Sequence, residues 1–429
     1  MTTRAGIVVT GTEVLTGRVT DANGPWLAEE LRREGVDVGR IVVVGDRRDD
    51  LASALRYLSS DHDLVITTGG LGPTADDLTV DVVAEVLGCE LRLDHAWERR
   101  IAARVDELSA GRGWQLPPDV VAHGVRKQAR VPHGAVVLEP VGTAPGMVVT
   151  PSAGVASGAP PVVVLPGPPS ELRPMWPQAR DTDVVRRALG SPTRLSEKTV
   201  RIWARPESEL AAVLRAHESR HGQAAAAGLE ITTCLREGEL EIVTRFAPGA
   251  EQAYEDLVAT LQRAYGADLF STGPSVDEVV AESMRSRSAT IATAESCTAG
   301  QLASRIADIP GSSAYLLGGF VTYANDAKTA EVGVPPELLD AHGAVSAEVA
   351  RAMAEGARAR LGTTYGIGIT GVAGPGGGTS EKPVGLVHVC LVDGEGALPR
   401  RLMLRGDRAA IRRRTTTECL HLLRLALER

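Results

Sequence analysis

Short apolar runs alternate with amphipathic stretches from the first residues of the chain, and no other feature restricts its fold as strongly. Residues 6–9 read as a strand, 24–33 as a helix stopped by Gly35, 36–44 as a strand and 50–59 as a helix. A third strand over 63–68 runs into a glycine turn, and 78–87 is again helical. Helices between successive apolar runs supply the crossovers that parallel strands require, so the pattern predicts βαβ units around a mostly parallel sheet. The run Val162–Leu165, followed by Pro166-Gly167-Pro168-Pro169-Ser170-Glu171, closes this first α/β domain. Residues 151–161 are compositionally biased and read as a surface loop between two strands.

Beyond a polar stretch at 181–196 the order changes to strand 199–204, helix 208–217, strands 229–235 and 240–246, and helix 251–265. This is a small α+β unit resembling KH-like or ferredoxin-like modules. It lacks the GXXG loop with which a KH domain grips RNA, so it reads as a connection or dimer contact. The α/β alternation returns from Val276 and ends in a helix over 409–427. A chain of 429 residues exceeds one hydrophobic core, and the expected division is 1–178, 179–272 and 273–429.

A net charge of -8 offers no general attraction to nucleic acid or anionic membrane, so any bound phosphate needs a local site. No apolar stretch approaches the roughly 18 residues of a membrane span, and no signal-peptide core precedes the first strand, which predicts a cytoplasmic protein. Cys89, Cys234, Cys297, Cys390 and Cys419 are far apart, with neither CxxC nor histidine at zinc-ligand spacing. Neither a disulfide framework nor a structural zinc is expected.

Two groups of motifs carry chemistry. In the last third, Ala294-Glu295-Ser296-Cys297-Thr298-Ala299-Gly300 turns a strand over 290–294 into a helix, and Tyr323, Lys328 and the glycine loop 371–378 follow. Attack on an amide carbonyl by serine needs a base and donors for the oxyanion. Deprotonated Lys328 suits Ser296 as that base, and Tyr323 is placed to relay a proton. Cys297 is the rival nucleophile, since a thiolate at a helix N-terminus is intrinsically reactive. The blander alternatives are that Ser296 caps the following helix, Tyr323 is core and Lys328 is solvated.

In the first domain, Gly11-Thr12-Glu13 and the turn 67–77, with Gly69, Gly70 and Gly72, follow strands at the end where open α/β sheets bind ligands. Glycines there admit backbone N–H groups to a phosphate. Asp76 and Asp77 suit a hard cation such as magnesium, or else cap a helix beginning at Leu78. Further glycine-proline turns lie at 142–146 and 167–171, with Arg126-Lys127-Gln128 supplying positive charge between them.

Taken in order, these motifs resemble the CinA family. The N-terminal half carries the GTE loop, the pair Asp21 and Asn23, TTGGLGPTxDD, RKQA, VGTAPG and LPGPPSE. The C-terminal part carries AESCT, GFVTYxNxxK, HGAVS, GxAGPxGG and EKPVG. The resemblance implies a molybdopterin-binding-like domain, a KH-type module, a C-terminal amidohydrolase domain and a homodimer.

For the amidohydrolase it implies deamidation of nicotinamide mononucleotide (NMN) in pyridine nucleotide salvage without a cofactor. Ser296, Tyr323 and Lys328 would be catalytic, and Thr370, Gly374, Gly376 and Arg408 would bind substrate. For the first domain it implies hydrolysis of ADP-ribose at its pyrophosphate, dependent on a divalent cation (magnesium or cobalt) and potassium. Glu13, Asp76 and Asp77 would lie at the metal, and Gly69, Gly70, Gly72, Thr143, Ser170, Lys127 and Asn23 at the substrate.

Two departures stand out. Gly124-Val125 replace the one or two asparagines that precede the RKQ triplet in many relatives, and Ala299 replaces the first glycine of AESCTGG. Residue 299 falls in the first turn of the helix, where a methyl is sterically mild and alanine favours helix more than glycine does, so activity is expected to survive. The competing functional reading is capture of a nucleotide or pterin without turnover, or action in competence or damage response through protein partners. No direct contact with nucleic acid or membrane is expected.

Overall fold

The computed structural model describes residues 3–112, 117–154, 158–190, 195–224 and 228–429, which form two compact units, Met1–Ser196 and Glu197–Arg429. The first unit is built on a six-stranded sheet in the order Asp37–Val44, Arg4–Thr10, Leu64–Thr68, Val162–Leu165, Met147–Val149, Val136–Val137. The first four strands are parallel, and the last two are added by antiparallel pairing. Successive side chains of a strand face opposite ways, so one sequence feeds two cores. Ile7, Val9, Leu64, Ile66, Val163 and Leu165 pack with Leu27, Leu31, Leu172 and Trp176 on one face. Val8, Val65, Val162 and Val164 pack with Leu55, Leu58, Val82 and Val83 on the other.

The fully buried parallel strands are therefore the apolar runs that define the sequence pattern. Of the biased loop 151–161, residues 155–157 lie outside the described residues. Helix Asp183–Leu189, capped by the Thr182 hydroxyl, adds Val185 and Leu189 to the first core, so this unit continues past residue 178.

The second unit begins with the module anticipated between the two α/β parts. Its strands Ser196–Trp203, Leu229–Arg236 and Glu239–Phe246 and helices Glu207–His221 and Glu251–Tyr265 follow the expected order. A further strand, Leu269–Ser271, pairs antiparallel with Ser196–Trp203 at the sheet edge. Three residues are too few for periodicity to reveal it.

This module does not stand alone. His421 of the last helix, Arg408–Leu427, stacks on Trp203 at 4.4 Å between ring centroids and meets the edge of Phe270. Its Nε2 lies 2.6 Å from Glu239 Oε1, and both side chains are buried.

The remaining sheet runs Leu316–Val321, Ile291–Glu295, Tyr365–Gly371, Leu386–Val392, Ala397–Met403. Its first three strands are parallel. The last two are attached antiparallel. Gly366 and Gly368 have no room for a Cβ against the carbonyls of Ala354 and Ala350, which lets helix Ala347–Leu361 lie directly on the central strands. Among the described residues, no helix is long and apolar enough to cross a membrane.

Removing His421 strips Glu239 of its partner in a buried setting. His421→Ala is expected to cost about 3 kcal/mol in denaturant unfolding of the second unit; a loss within experimental error would deny the contact its role.

Candidate active site

Ser296 follows the strand Ile291–Glu295, which lies between two parallel neighbours, so its position is imposed from both sides. The Ser296 N–H donates to Ile369 O at 2.9 Å, and Thr322 N–H donates to Glu295 O at 2.8 Å. Glu295 is fully buried. Its carboxylate accepts the N–H groups of Leu302 and Ala303 at 3.0 and 2.9 Å and the Thr293 hydroxyl at 3.2 Å. A buried anion facing the first N–H groups of a helix satisfies both partners. Sequence reasoning passed over Glu295, although an acid ending a buried strand was the available signal.

This lock overturns one expectation. The helix starts at Gln301 with Gly300 as its N-cap, so Ala299 is not helical. Ala299 has φ 50° and Gly300 φ 87°, two successive residues in the left-handed region. That conformation suits Gly300 and strains Ala299.

Lys328, on helix Asn325–Val332, is 1% exposed. Its Nζ lies 3.3 Å from Ser296 Oγ, 3.1 Å from Thr322 O and 3.2 Å from Tyr323 O. Burial lowers the Lys328 pKa from the ordinary lysine value, with nearby Cys297 opposing the shift. Burial also pushes the Cys297 thiol up to about 11, so the rival nucleophile is held as an unreactive thiol near neutral pH.

The blander alternatives fall together. Ser296 is not the cap of the helix, Lys328 is not solvated, and Tyr323 is 55% exposed rather than core. The Tyr323 hydroxyl accepts a hydrogen bond from Arg408 Nη2 at 2.6 Å, while Arg408 Nη1 donates to Gly374 O at 2.8 Å. The phenol thus belongs with the arginine and the glycine loop. Thr370 is buried, its hydroxyl donating to Ala344 O at 2.7 Å. A Cβ on Gly374 would press on Val384 at 2.7 Å, whereas Gly376 faces open space.

In the first unit the loops after three adjacent parallel strands are tied together. Asn23 Nδ2 donates to Thr68 Oγ1 at 2.8 Å and to Gly167 O at 2.6 Å. Gly69 N–H donates to Leu165 O at 3.0 Å. The Thr79 hydroxyl donates to Gly69 O at 2.8 Å. Gly69 and Gly70 have φ 102° and 66°. Gln128 Nε2 bridges Leu71 O at 3.0 Å and Thr143 Oγ1 at 3.3 Å, and Lys127 Nζ donates to Thr74 O. Ser170 is exposed in the first turn of helix Pro169–Arg180.

Asp76 and Asp77 cap no helix, since the next one, Thr79–Val86, has no side-chain cap. Asp77 Oδ2 instead accepts from Thr74 N at 2.9 Å and Thr74 Oγ1 at 2.6 Å, and packs against Gly72. The hydrogen bond from the Thr74 hydroxyl also holds the Asp76 carboxyl below its ordinary range. Among the described residues, no three His, Cys, Asp or Glu side chains are arranged to hold a metal ion, so Glu13 joins no preformed cage with this pair. Gly124 has its own steric reason: a Cβ there would meet Pro73 Cβ at 2.8 Å.

These features define a protein of two α/β parts, each with its motifs at the carboxyl ends of parallel strands. Residues 6–180 match the family described as "Probable molybdopterin binding domain", and residues 274–427 match "CinA C-terminal domain". The chain is 53% identical over 431 residues to a CinA-like protein of Mycolicibacterium gilvum, covering 100% of this chain and 99% of that one. It is 49% identical to a CinA-like protein of Mycobacterium tuberculosis, covering 99% and 97%. A solved structure of the competence/damage inducible protein CihA from Agrobacterium tumefaciens is 39% identical, covering 37% of this chain and 100% of that one, with TM-score 0.35. The chain belongs to the CinA family.

Relief of the left-handed strain gives a direct check of the turn. Ala299→Gly is expected to stabilise the second unit by about 1 kcal/mol in denaturant unfolding, whereas a helical residue 299 would be destabilised by the same change.

Proposed function

We propose that the second unit hydrolyses the carboxamide of nicotinamide mononucleotide to nicotinate mononucleotide and ammonia. The observation that carries the reading is the buried amine of Lys328, 3.3 Å from Ser296 Oγ, whose other two partners are the carbonyls of Thr322 and Tyr323. Carbonyls only accept. A neutral Lys328 satisfies both with its two hydrogens and turns its lone pair to the serine hydroxyl.

In this reading Lys328 takes the hydroxyl proton as Ser296 Oγ bonds to the amide carbon. Backbone N–H groups of the turn that follows Ser296 would supply the donors to the developing oxyanion. Collapse of the adduct breaks the C–N bond, and Lys328 returns the proton to the leaving nitrogen as ammonia departs. Water, deprotonated by Lys328, then cleaves the acyl-serine ester, releasing the nicotinate product and restoring the hydroxyl. Arg408, steadied by Tyr323 and Gly374, would pair with the substrate phosphate. Thr370 orders the adjoining loop through Ala344. The dyad supplies base and nucleophile, so this chemistry calls for no cofactor.

Ammonia release in the presence of chelator tests the reading. Ser296→Ala and Lys328→Ala should each lower kcat/KM by at least about a thousandfold, with Cys297→Ala retaining most activity. The opposite ranking would assign the chemistry to cysteine. Activity should fall with decreasing pH as Lys328 gains its proton, at a midpoint below the ordinary lysine value; loss only above neutral pH would contradict the base assignment.

For the first unit we infer a metal-dependent ADP-ribose pyrophosphatase site at the turn 69–77. Its support is the pair of carboxylates at the mouth of glycine turns, engaged with Thr74 rather than with a helix end. The oxygen donors of Asp76 and Asp77 suit a hard divalent cation whose shell is completed by water and substrate phosphate rather than by a protein cage. When bound, such an ion would offset phosphate charge. Lys127 and the backbone around Gly69 and Gly70 would orient the diphosphate. AMP formation from ADP-ribose with added magnesium or cobalt should fall by about tenfold or more in Asp77→Ala. Binding of a nucleotide or pterin with no turnover would instead favour a capture role.

A further inference from the structure

The last helix, Arg408–Leu427, opens with two cations one turn apart, Arg408 and Arg412. Local physics disfavours this arrangement twice over. A cation in the opening turns opposes the helix dipole, and like charges four residues apart repel. Their partners are neutral. Arg408 donates to the Gly374 carbonyl and the Tyr323 phenol, and Arg412 Nη2 donates to Thr298 O at 2.7 Å. Among the described residues neither forms an ion pair, whereas the adjacent Arg413 pairs with Glu237 at 3.2 Å. Arg412 is half-buried, and its Nε is buried without an acceptor among the described residues. A desolvated, unneutralised guanidinium kept against these costs points to a use.

We propose that Arg412 is a positioning residue for acyl transfer at Ser296, locking the turn 296–300 in the conformation whose N–H groups would receive the oxyanion. This role rests on the serine-amidase reading of the second unit. Arg408 would meet the substrate, and Arg412 meets the turn.

The lock acts on one peptide plane. Ala299 has φ 50°, a left-handed value that strains alanine. Turning over the peptide between Thr298 and Ala299 would change that φ by about 180° and return Ala299 to a region alanine prefers. The same movement would swing Thr298 O away from Arg412 and take Ala299 N–H from Ser296 O, to which it donates at 3.1 Å. Thr298 is fully buried, so a carbonyl stripped of its donors there is costly. Its other donor, Gln301 N–H at 3.2 Å, belongs to the helix that the turn feeds. Arg412 comes from 114 residues away, and it ties the turn to a separate element.

Charge adds a second contribution. Burial pushes the Cys297 thiol up to about 11, but Arg412 and Arg408 both act on it in the opposite sense, so the field of both cations reaches the residue beside Ser296. Negative charge developing on the substrate carbonyl oxygen would be stabilised by the same field.

The test uses the full-length chain and nicotinamide mononucleotide. In Arg412→Ala, kcat should fall by about thirtyfold with KM within about twofold of wild type, whereas Arg408→Ala should raise KM. The acid limb of the pH profile should keep its wild-type midpoint in Arg412→Ala, because burial, opposed by Cys297, sets the Lys328 pKa. Guanidinium ion at millimolar concentration should restore part of the lost kcat, which damage to the fold would not allow. If Arg412→Ala does not fold, Arg412→Lys, which keeps the charge on a shorter arm, should show the same split with a smaller loss. A fluorophosphonate probe phosphonylates a serine nucleophile through the same oxyanion donors, whatever amide is the natural substrate. Its labelling of Ser296 should slow at least about tenfold in Arg412→Ala and stay unchanged in Arg413→Ala. Wild-type kcat and labelling in Arg412→Ala overturn the role, as does a rise in KM alone. A wild-type chain that is labelled but releases no ammonia overturns the choice of substrate and leaves the labelling rates to decide Arg412; one that does neither overturns both.

Discussion

The buried carboxylate of Glu295 organises the candidate site of the second unit. A fully desolvated anion is tolerable only with donors around it, and here the donors are the opening N–H groups of helix Gln301–Ala307 and the Thr293 hydroxyl. Because the acid ends one element and its donors begin the next, the five residues between them are compressed. That compression places Ala299 and Gly300 in the left-handed region and turns Ser296 toward Lys328. The lysine is fixed with equal economy, since the carbonyls of Thr322 and Tyr323 that hold its amine also end the neighbouring strand segment. Burial then acts in one direction on both groups beside the serine, disfavouring ammonium at Lys328 and thiolate at Cys297.

The two units apply one architectural rule to different chemistry. In each, loops leave the carboxyl ends of adjacent parallel strands, where main-chain groups are free to meet a ligand. In the first unit, threonine and asparagine side chains tie those loops together, through Thr10 to Thr68 O, Thr68 to Pro166 O, Thr79 to Gly69 O and Asn23 to Gly167 O. What remains presented are the exposed carboxylate of Asp76 and the half-buried one of Asp77, suited to a cation. In the second unit the presented groups are a hydroxyl and a buried amine, suited to acyl transfer. The glycine turns look alike in the two halves, so it is the titratable side chains that separate them.

Glycine illustrates how far composition alone carries such a reading. At Gly366 and Gly368 its absence of a side chain lets a helix contact the sheet, while at Gly238 and Gly300 it supplies a positive φ. Gly124 serves a third purpose by admitting Pro73. The same residue type thus marks packing, turning and loop approach, and only spatial neighbours distinguish them.

The periodicity of apolar residues was sufficient to reveal the alternating strands and helices, because a buried parallel strand must be apolar on both faces and its crossover helix on one. The ordered motifs likewise sufficed for family membership. The short strand Leu269–Ser271 escaped because pairing with Ser196–Trp203, not local pattern, creates it. The first unit's extension to Leu189 and the attachment of the middle module through His421 also depend on contacts between residues remote in sequence. Tertiary structure alone decided that Tyr323 faces Arg408, that Glu295 rather than Ser296 satisfies the helix start, and that Ala299 lies outside the helix. Propensity acts residue by residue, whereas a buried charge draws its partners from wherever the folded chain brings them.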